Sequence, residues 1–225
     1  MKPKILQQLQ RQISNYNKLL INIERESKAK ISPVIIAIAG PPAVGKSTLA
    51  KKIVDDLNTN GYQAQYCPMD GFHMTNDELN KIQLKDVKGR IDTFQAIAFS
   101  KAIFSLKAKK SFWWPKFSRT QDNPIPHGSF ISGKEDIFVL EGNYLLIQSE
   151  PWVSAAKNFQ HSIFIDLPDK ILRERLFTRH KKGGFSMDLI KEKIENVDIH
   201  NAALIRETKS LANVILKTQI IRSIL

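Results

Sequence analysis

Residues 34–57 read VIIAIAGPPAVGKSTLAKKIVDDL, and this stretch decides the fold. Val34 to Ala39 is a continuous apolar run, the pattern of a strand buried on both faces. Residues 40–47 then fit the spacing G-x-x-x-x-G-K-S/T at every fixed position. In such a loop, Gly40 and Gly45 allow a tight turn that points backbone N–H groups at phosphate oxygens. Pro41, Pro42, Ala43 and Val44 form the arc between them, and Thr48 follows in the first turn of the next helix. Lys46 is placed to reach the β- and γ-phosphates, and the Ser47 hydroxyl to ligate Mg²⁺. From Thr48 the pattern turns helical, with Leu49, Ile53 and Leu57 at i, i+4, i+8. A lysine at a helix N-terminus opposes the macrodipole unless an anion sits there. Strand, glycine loop and helix therefore predict a P-loop binding the phosphates of ATP with Mg²⁺.

Working outward, apolar strands are expected at Gln63 to Met69, Ile137 to Leu140, Ile163 to Leu167 and Asn213 to Leu216. Helices are expected between them: a short one opened by the capping box Thr75–Glu78, one from Asp92–Gln95 to about Lys107, one from Pro168 to about Lys181 stopped by Gly183–Gly184, and a long one from Ser186 to about Lys209. Residues 111–133, rich in tryptophan and proline, read as short strands and turns inserted near the site. The alternation predicts a P-loop NTPase of the α/β class: a doubly wound, parallel, five-stranded sheet with helices on both faces. Residues 31–225 form that domain. Gly183–Gly184 could hinge the arginine-bearing helix as a helical lid at about 173–190; the other reading of that helix is a solvated basic surface. Residues 1–30 are expected to be an amphipathic helix, with Ile5, Leu9, Ile13, Tyr16, Leu20 and Ile23 on one stripe, and a charged linker from Glu24 to Lys30. This helix would pack on the core or on a second subunit, which leaves room for a homodimer.

The 225 residues carry one cysteine, Cys67, which excludes a disulfide framework and fits a reducing compartment. No apolar run reaches the ~18 residues of a membrane span, and the N-terminus lacks the apolar core of a secretory signal. A cytoplasmic location is expected. The net charge of +12 suits anionic substrates. It would also suit RNA, but the basic residues are scattered and no RNA-binding signature accompanies them, so nucleic acid is not expected as a partner.

Ligands of parallel α/β sheets bind at the carboxyl ends of the strands. Asp70 and Glu141 each follow an apolar strand, so both should emerge beside the P-loop. Either could accept a proton from an acceptor hydroxyl or bind Mg²⁺. Arg175 and Arg179 lie four residues apart on one helix face, where an anion between them would offset their repulsion; Arg173 should face solvent. Asn201 falls on an apolar stripe with Ile190, Ile194, Val197 and Leu204. Its amide needs a partner, either neighbouring backbone or the nucleotide. His73, close to Asp70, could line the acceptor site. The histidines show no metal-ligand spacing.

GPPAVGKST, PMDGFHM, KGRIDTF, WPKFSRTQDNPIP, VLEGNYLL, RLFTRHKKGG and ENVDIHNAALI occur in this order. In them the chain resembles the P-loop small-molecule kinases that include uridine kinase, phosphoribulokinase and bacterial-type pantothenate kinase. Within these it is most similar to a nucleoside/nucleotide kinase-like branch that includes proteins named as fructose-transport-system kinases. The resemblance implies transfer of the ATP γ-phosphoryl group to a hydroxyl of a small metabolite such as a sugar, a nucleoside or a pantothenate-like alcohol. It implies Asp70 as the acceptor-side base, Glu141 near Mg²⁺ or the acceptor, and Arg119 as an acceptor or phosphate contact. It further implies lid arginines at Arg175 and Arg179, and Asp198 and Asn201 near the nucleotide or fixing the lid. Asp92 and Tyr144, in the KGRIDTF and VLEGNYLL stretches, would line the acceptor site. Where the family has Gly-Ala-Pro-Asp-Thr-Phe-Asp, this chain has Gly89 to Gln95, gaining Arg90, which would favour an anionic acceptor. A regulatory ATP-binding protein that acts through a partner is the alternative reading, motivated by the N-terminal helix.

Overall fold

The computed structural model describes residues 3–28 and 33–217, with side chains in the first helix at residue 10 and from residue 14 onward. The chain opens with α1 (Pro3–Lys28). Five strands follow in one sheet: β1 (Val34–Ala39), β2 (Ala64–Pro68), β5 (Ile137–Gly142), β6 (His161–Asp166) and β7 (Val214–Lys217). Their order is β2-β5-β1-β6-β7 and every pairing is parallel. The P-loop joins β1, at the centre, to α2 (Lys46–Thr59).

Both faces of the sheet are covered, which is why its strands read as unbroken apolar runs. In β1 the alternation sends Val34, Ile36 and Ile38 to one side and Ile35, Ala37 and Ala39 to the other. The first side packs on Leu49, Ile53 and Leu57 of α2, on Leu172 and Leu176 of α6 (Asp169–Lys182), and on Tyr16, Leu19 and Ile23 of α1. The second packs on Phe99, Ile103 and Leu106 of α4 (Ala96–Lys107) and on Trp152 of α5 (Trp152–Ala156). His161 Nε2 lies 3.0 Å from Glu26 Oε2, a further tie between α1 and the sheet. Ile5, Leu9 and Ile13 of the expected apolar stripe, and residues 29 and 30 of the expected linker, lie outside the described side chains and backbone. The helix continues through Glu24 to Lys28, so that part of the expected linker is helical.

Residues 112–131 form an antiparallel hairpin of β3 (Phe112–Ser118) and β4 (Asn123–Ile131). The capping box is present in both directions, Thr75 accepting from the Glu78 N–H and the Glu78 carboxylate from the Thr75 N–H, and it starts α3 (Asn76–Lys81). One expected helix boundary shifts. Asp92 and Thr93 lie in a 3₁₀ turn and α4 begins at Ala96, because Phe94 is extended and bridges to His73. The long helix expected from Ser186 to about Lys209 runs unbroken from Met187 to Glu207, as α7 (Met187–Lys193), a π-helical turn at Ile194–Asp198, and α8 (Ile199–Glu207). No helix among the described residues is long and apolar enough to cross a membrane.

Candidate active site

The P-loop conformation depends on its glycines. Gly40 has φ +146°, and a Cβ there would lie 2.3 Å from the Ile165 carbonyl oxygen, so only glycine lets the loop leave β1 against β6. Gly45 (φ +108°) caps α2 without a side-chain bond, and Ala43 is also left-handed, at φ 61°. Alternating conformations of this kind turn successive N–H groups into one concavity, an anion nest. The first turn of α2 carries no acidic residue.

Lys46 is buried at 7% exposure. Its ammonium donates to Gly40 O (2.9 Å), Pro41 O (2.8 Å) and Asn143 Oδ1 (2.7 Å). None of these partners is charged, and burial lowers its pKa to about 8 although Glu141 and Asp70 pull the other way. A buried ammonium coordinated by neutral oxygens fits a site made for an anion. Ser47 Oγ donates to Glu141 Oε1 at 3.0 Å, and the Tyr66 hydroxyl donates to the same oxygen at 2.8 Å. A hydroxyl and a carboxylate side by side are hard oxygen donors that suit Mg²⁺ when phosphates complete its shell. Among the described residues no cluster of three or more His, Cys, Asp or Glu side chains could hold a metal alone.

Glu141 ends β5 at 4% exposure. Burial and the neighbouring Asp70 push its carboxyl above the usual range, against Lys46, Tyr66 and Ser47. Asp70 sits in the 3₁₀ turn Met69–Phe72 after β2. Burial alone would raise its pKa, but His73, Arg179, Lys46 and Arg119 outweigh it and hold the carboxyl below the usual range. Burial lowers His73 in turn, against the pull of Asp70. The two carboxylates thus differ: Asp70 faces cations and solvent, while Glu141 is enclosed and already hydrogen-bonded.

The Asp70 turn is clamped between β5 and the hairpin. A Cβ on Gly71 would come within 2.1 Å of Pro115 O, and one on Gly142 within 2.5 Å of Met69 Cβ. Trp114, fully buried, donates its indole N–H to Pro68 O at 3.0 Å. The hairpin turn brings Arg119 to 3.8 Å from Asp70 Oδ2. His73 Nδ1 is 2.8 Å from Asp70 O, and its ring lies between Phe94 and Phe117.

The remaining expected residues fall in several places. Arg175 Nη1 donates to Val44 O at 3.1 Å and lies 3.4 Å from Ala43 O, beneath the P-loop arc. Arg179 lies within electrostatic range of Arg119, Asp70, Asp198 and Glu141. Arg173, expected to face solvent, pairs with Glu195. Arg90 and Asp92 pair with each other. Tyr144, expected to line the acceptor site, is fully buried against Phe94 and Trp152, and its hydroxyl donates to Gly89 O at 2.7 Å. Asn201 bonds neighbouring backbone rather than standing open, its amide donating to the same Gly89 oxygen at 3.1 Å. Asp198 sits 2.7 Å from His180 Nε2, joining α6 to the π turn.

Two site residues were missed from sequence. Asn143 sits in the run after β5 that was already singled out, and its amide oxygen gave no local signal. Tyr66 is four positions before Asp70; its reach to Glu141 follows from the β2–β5 register, in which Pro68 stands opposite Glu141 and Tyr66 is the diagonal neighbour.

The family model described as Phosphoribulokinase / Uridine kinase family matches residues 35–224. The chain is 29% identical over 185 residues to "Uncharacterized protein YggC" of Escherichia coli (strain K12), covering 81% of this chain and 77% of that protein. It is 29% identical over 173 residues to "Putative uridine kinase C227.14" of Schizosaccharomyces pombe, covering 73% of each. Among solved structures, the "putative fructose transport system kinase" from Silicibacter sp. TM1040 superposes with a TM-score of 0.77 at 28% identity, covering 83% of this chain and 91% of that one.

Proposed function

This chain belongs to the Phosphoribulokinase / Uridine kinase family, and we propose that it transfers the γ-phosphoryl group of ATP to a hydroxyl of a small metabolite. One observation carries the reading. The P-loop hydroxyl Ser47 and the strand-end carboxylate Glu141 meet at 3.0 Å, while a second carboxylate, Asp70, stands beside them at the acceptor-side edge of the sheet with its pKa held low.

Bound Mg·ATP would supply the transferable phosphoryl group and neutralise part of the charge on it. The residues of the chain do the rest. The backbone from Gly40 to Ser47 and the Lys46 ammonium bind phosphate oxygens; Lys46 must let go of Asn143, Gly40 or Pro41 to do so. Ser47 and Glu141 hold the metal side. Asp70, ionised at neutral pH, orients the acceptor hydroxyl and takes its proton as the oxygen–phosphorus bond forms and the bond to the departing ADP oxygen breaks. Arg179 lies beside Asp70, where positive charge would stabilise the transferring group. Arg175 supports the P-loop arc from below, a positioning role. Asp198 with His180, and Asn201 with Tyr144 on Gly89, fix the segments around the site rather than touch the nucleotide. The regulatory alternative rested on the N-terminal helix, and that helix packs Tyr16, Leu19 and Ile23 into the chain's own core.

The test is incubation of purified protein with Mg·ATP and a pooled metabolite library, read by mass spectrometry, with Lys46→Ala and Asp70→Asn as controls. The reading expects a metabolite that gains one phosphoryl group with the wild type alone. Nucleotide binding with no product from any hydroxyl compound would favour the regulatory alternative.

A further inference from the structure

We infer that Tyr66 sets the metal preference of the site. By capping one oxygen of Glu141 it leaves the carboxylate a single oxygen for the metal that accompanies the nucleotide, which favours Mg²⁺ over Ca²⁺. This rests on the kinase reading above and deepens it: Tyr66 is a positioning residue that acts through Glu141.

Three observations converge. The first is the donor count on Glu141. Ser47 Oγ donates to Oε1 at 3.0 Å, and the Tyr66 hydroxyl donates to the same atom at 2.8 Å. Among the described residues no side chain donates to Oε2. Nor is Oε2 sealed off, since among the described residues Ser129 Oγ alone is a buried side-chain polar atom without a partner. The uncapped oxygen therefore opens into the site.

The second is how Tyr66 comes to be there. In the β2–β5 register Tyr66 stands opposite Val139, and Pro68 stands opposite Glu141. Pro68 offers no side-chain donor, so the hydroxyl comes from the diagonal neighbour, on the face that Val139 shares with α2. The ring is half-buried against that face, and Lys51 Nζ of α2 lies 5.7 Å from its centre. A tyrosine has few side-chain torsions to fix, so a ring held this way presents its hydroxyl to Glu141 at small conformational cost.

The third is the chemistry of the two ions. Ca²⁺ takes about 6–8 oxygens at about 2.3–2.6 Å and readily uses both oxygens of one carboxylate. Mg²⁺ demands near-octahedral geometry at about 2.0–2.1 Å and keeps several waters. To grip an ion with both oxygens, Glu141 would have to give up or share the bonds from Ser47 and Tyr66. A donor left unpaired in so enclosed a place is costly. Coordination through Oε2 alone disturbs neither bond, and the two donors keep the carboxyl plane from turning.

The experiment measures by calorimetry the affinity of the full-length protein for a non-hydrolysable ATP analogue in three forms: with saturating Mg²⁺, with saturating Ca²⁺, and metal-free in the presence of a chelator. The wild type should bind the Mg²⁺ form most tightly. Tyr66→Phe keeps the ring and removes the donor. It should weaken the Mg²⁺ form roughly tenfold, narrow the preference for Mg²⁺ over Ca²⁺ by a similar factor, and leave the metal-free affinity within about twofold. An unchanged preference in the variant, or a wild type that does not distinguish the two ions, overturns the inference. So does an equal loss in all three forms, which would make Tyr66 a support of the fold. Each of these outcomes leaves the kinase reading intact. A wild type that binds the analogue in no form instead fails the kinase reading, and this inference with it.

Discussion

Ser47 and Glu141, 94 positions apart in the chain, are joined by a hydrogen bond of 3.0 Å. The P-loop helix starts where β1 ends, and Glu141 ends the neighbouring strand β5, in which it stands opposite Ile38. Parallel pairing therefore puts the hydroxyl and the carboxylate on the same edge. Glu141→Gln keeps the shape and removes the charge proposed to bind the metal. The apparent affinity for Mg²⁺ in the kinase assay should fall by about 10–100-fold. Because burial raises the Glu141 pKa, the ligand-free protein should not lose thermal stability, and a lowered midpoint would show that the carboxylate serves the fold instead.

Asp70→Asn should leave binding of an ATP analogue within twofold and lower turnover by about 10²–10⁴. The carboxyl is held below its usual range, so the wild-type rate should show no acidic limb from this group between pH 5 and 8. Steady-state kinetics across that range, with calorimetry for binding, checks both statements; full activity in the variant removes Asp70 as the base.

Lys46 gives a pH signature of nucleotide binding. Burial lowers it to about 8 in the free protein, so its neutral form is populated above that pH. A phosphate placed beside the amine favours the ammonium and raises the pKa. Binding must then take up a proton, and affinity should decline as pH rises through 8. At pH 8 the uptake should be about half a proton, visible as different calorimetric heats in buffers of different ionisation enthalpy. Identical heats, or an affinity that grows with pH, would show that Lys46 does not meet the phosphates.

Gly71→Ala tests the clamp on the Asp70 turn. The new Cβ would lie 2.1 Å from Pro115 O, a backbone atom that cannot swing away. Either the hairpin lifts or the turn shifts, at about 1–3 kcal/mol of stability. Turnover should fall more than nucleotide affinity, since the P-loop is two strands distant. Denaturant unfolding and the acceptor KM together separate this from a global loss of fold.

Much of the fold was legible because its signals are local. The run Val34–Ala39 is apolar on both faces, the glycines of the loop need backbone angles that other residues resist, and Thr75 and Glu78 cap a helix within four positions. Where the prediction moved, a distant contact prevailed. Phe94 is drawn out of the start of α4 by its bridge to His73, and the helix after Ser186 carries a π turn where Asp198 meets His180.

Sequence alone determined the phosphate loop, the parallel α/β plan and the pair of strand-end carboxylates, since these depend on period, glycine conformation and residue type. Tertiary structure decided which groups serve which. Tyr144 and Asn201, from the β5 exit and from α8, both turn to one carbonyl at Gly89, and Tyr66 reaches Glu141 across the β2–β5 register. It also set Asp70 apart from Glu141, because a carboxyl's proton affinity is fixed by burial and by cations that arrive from the hairpin turn, the P-loop and α6. Those distances exist only once the sheet has brought its strand ends together.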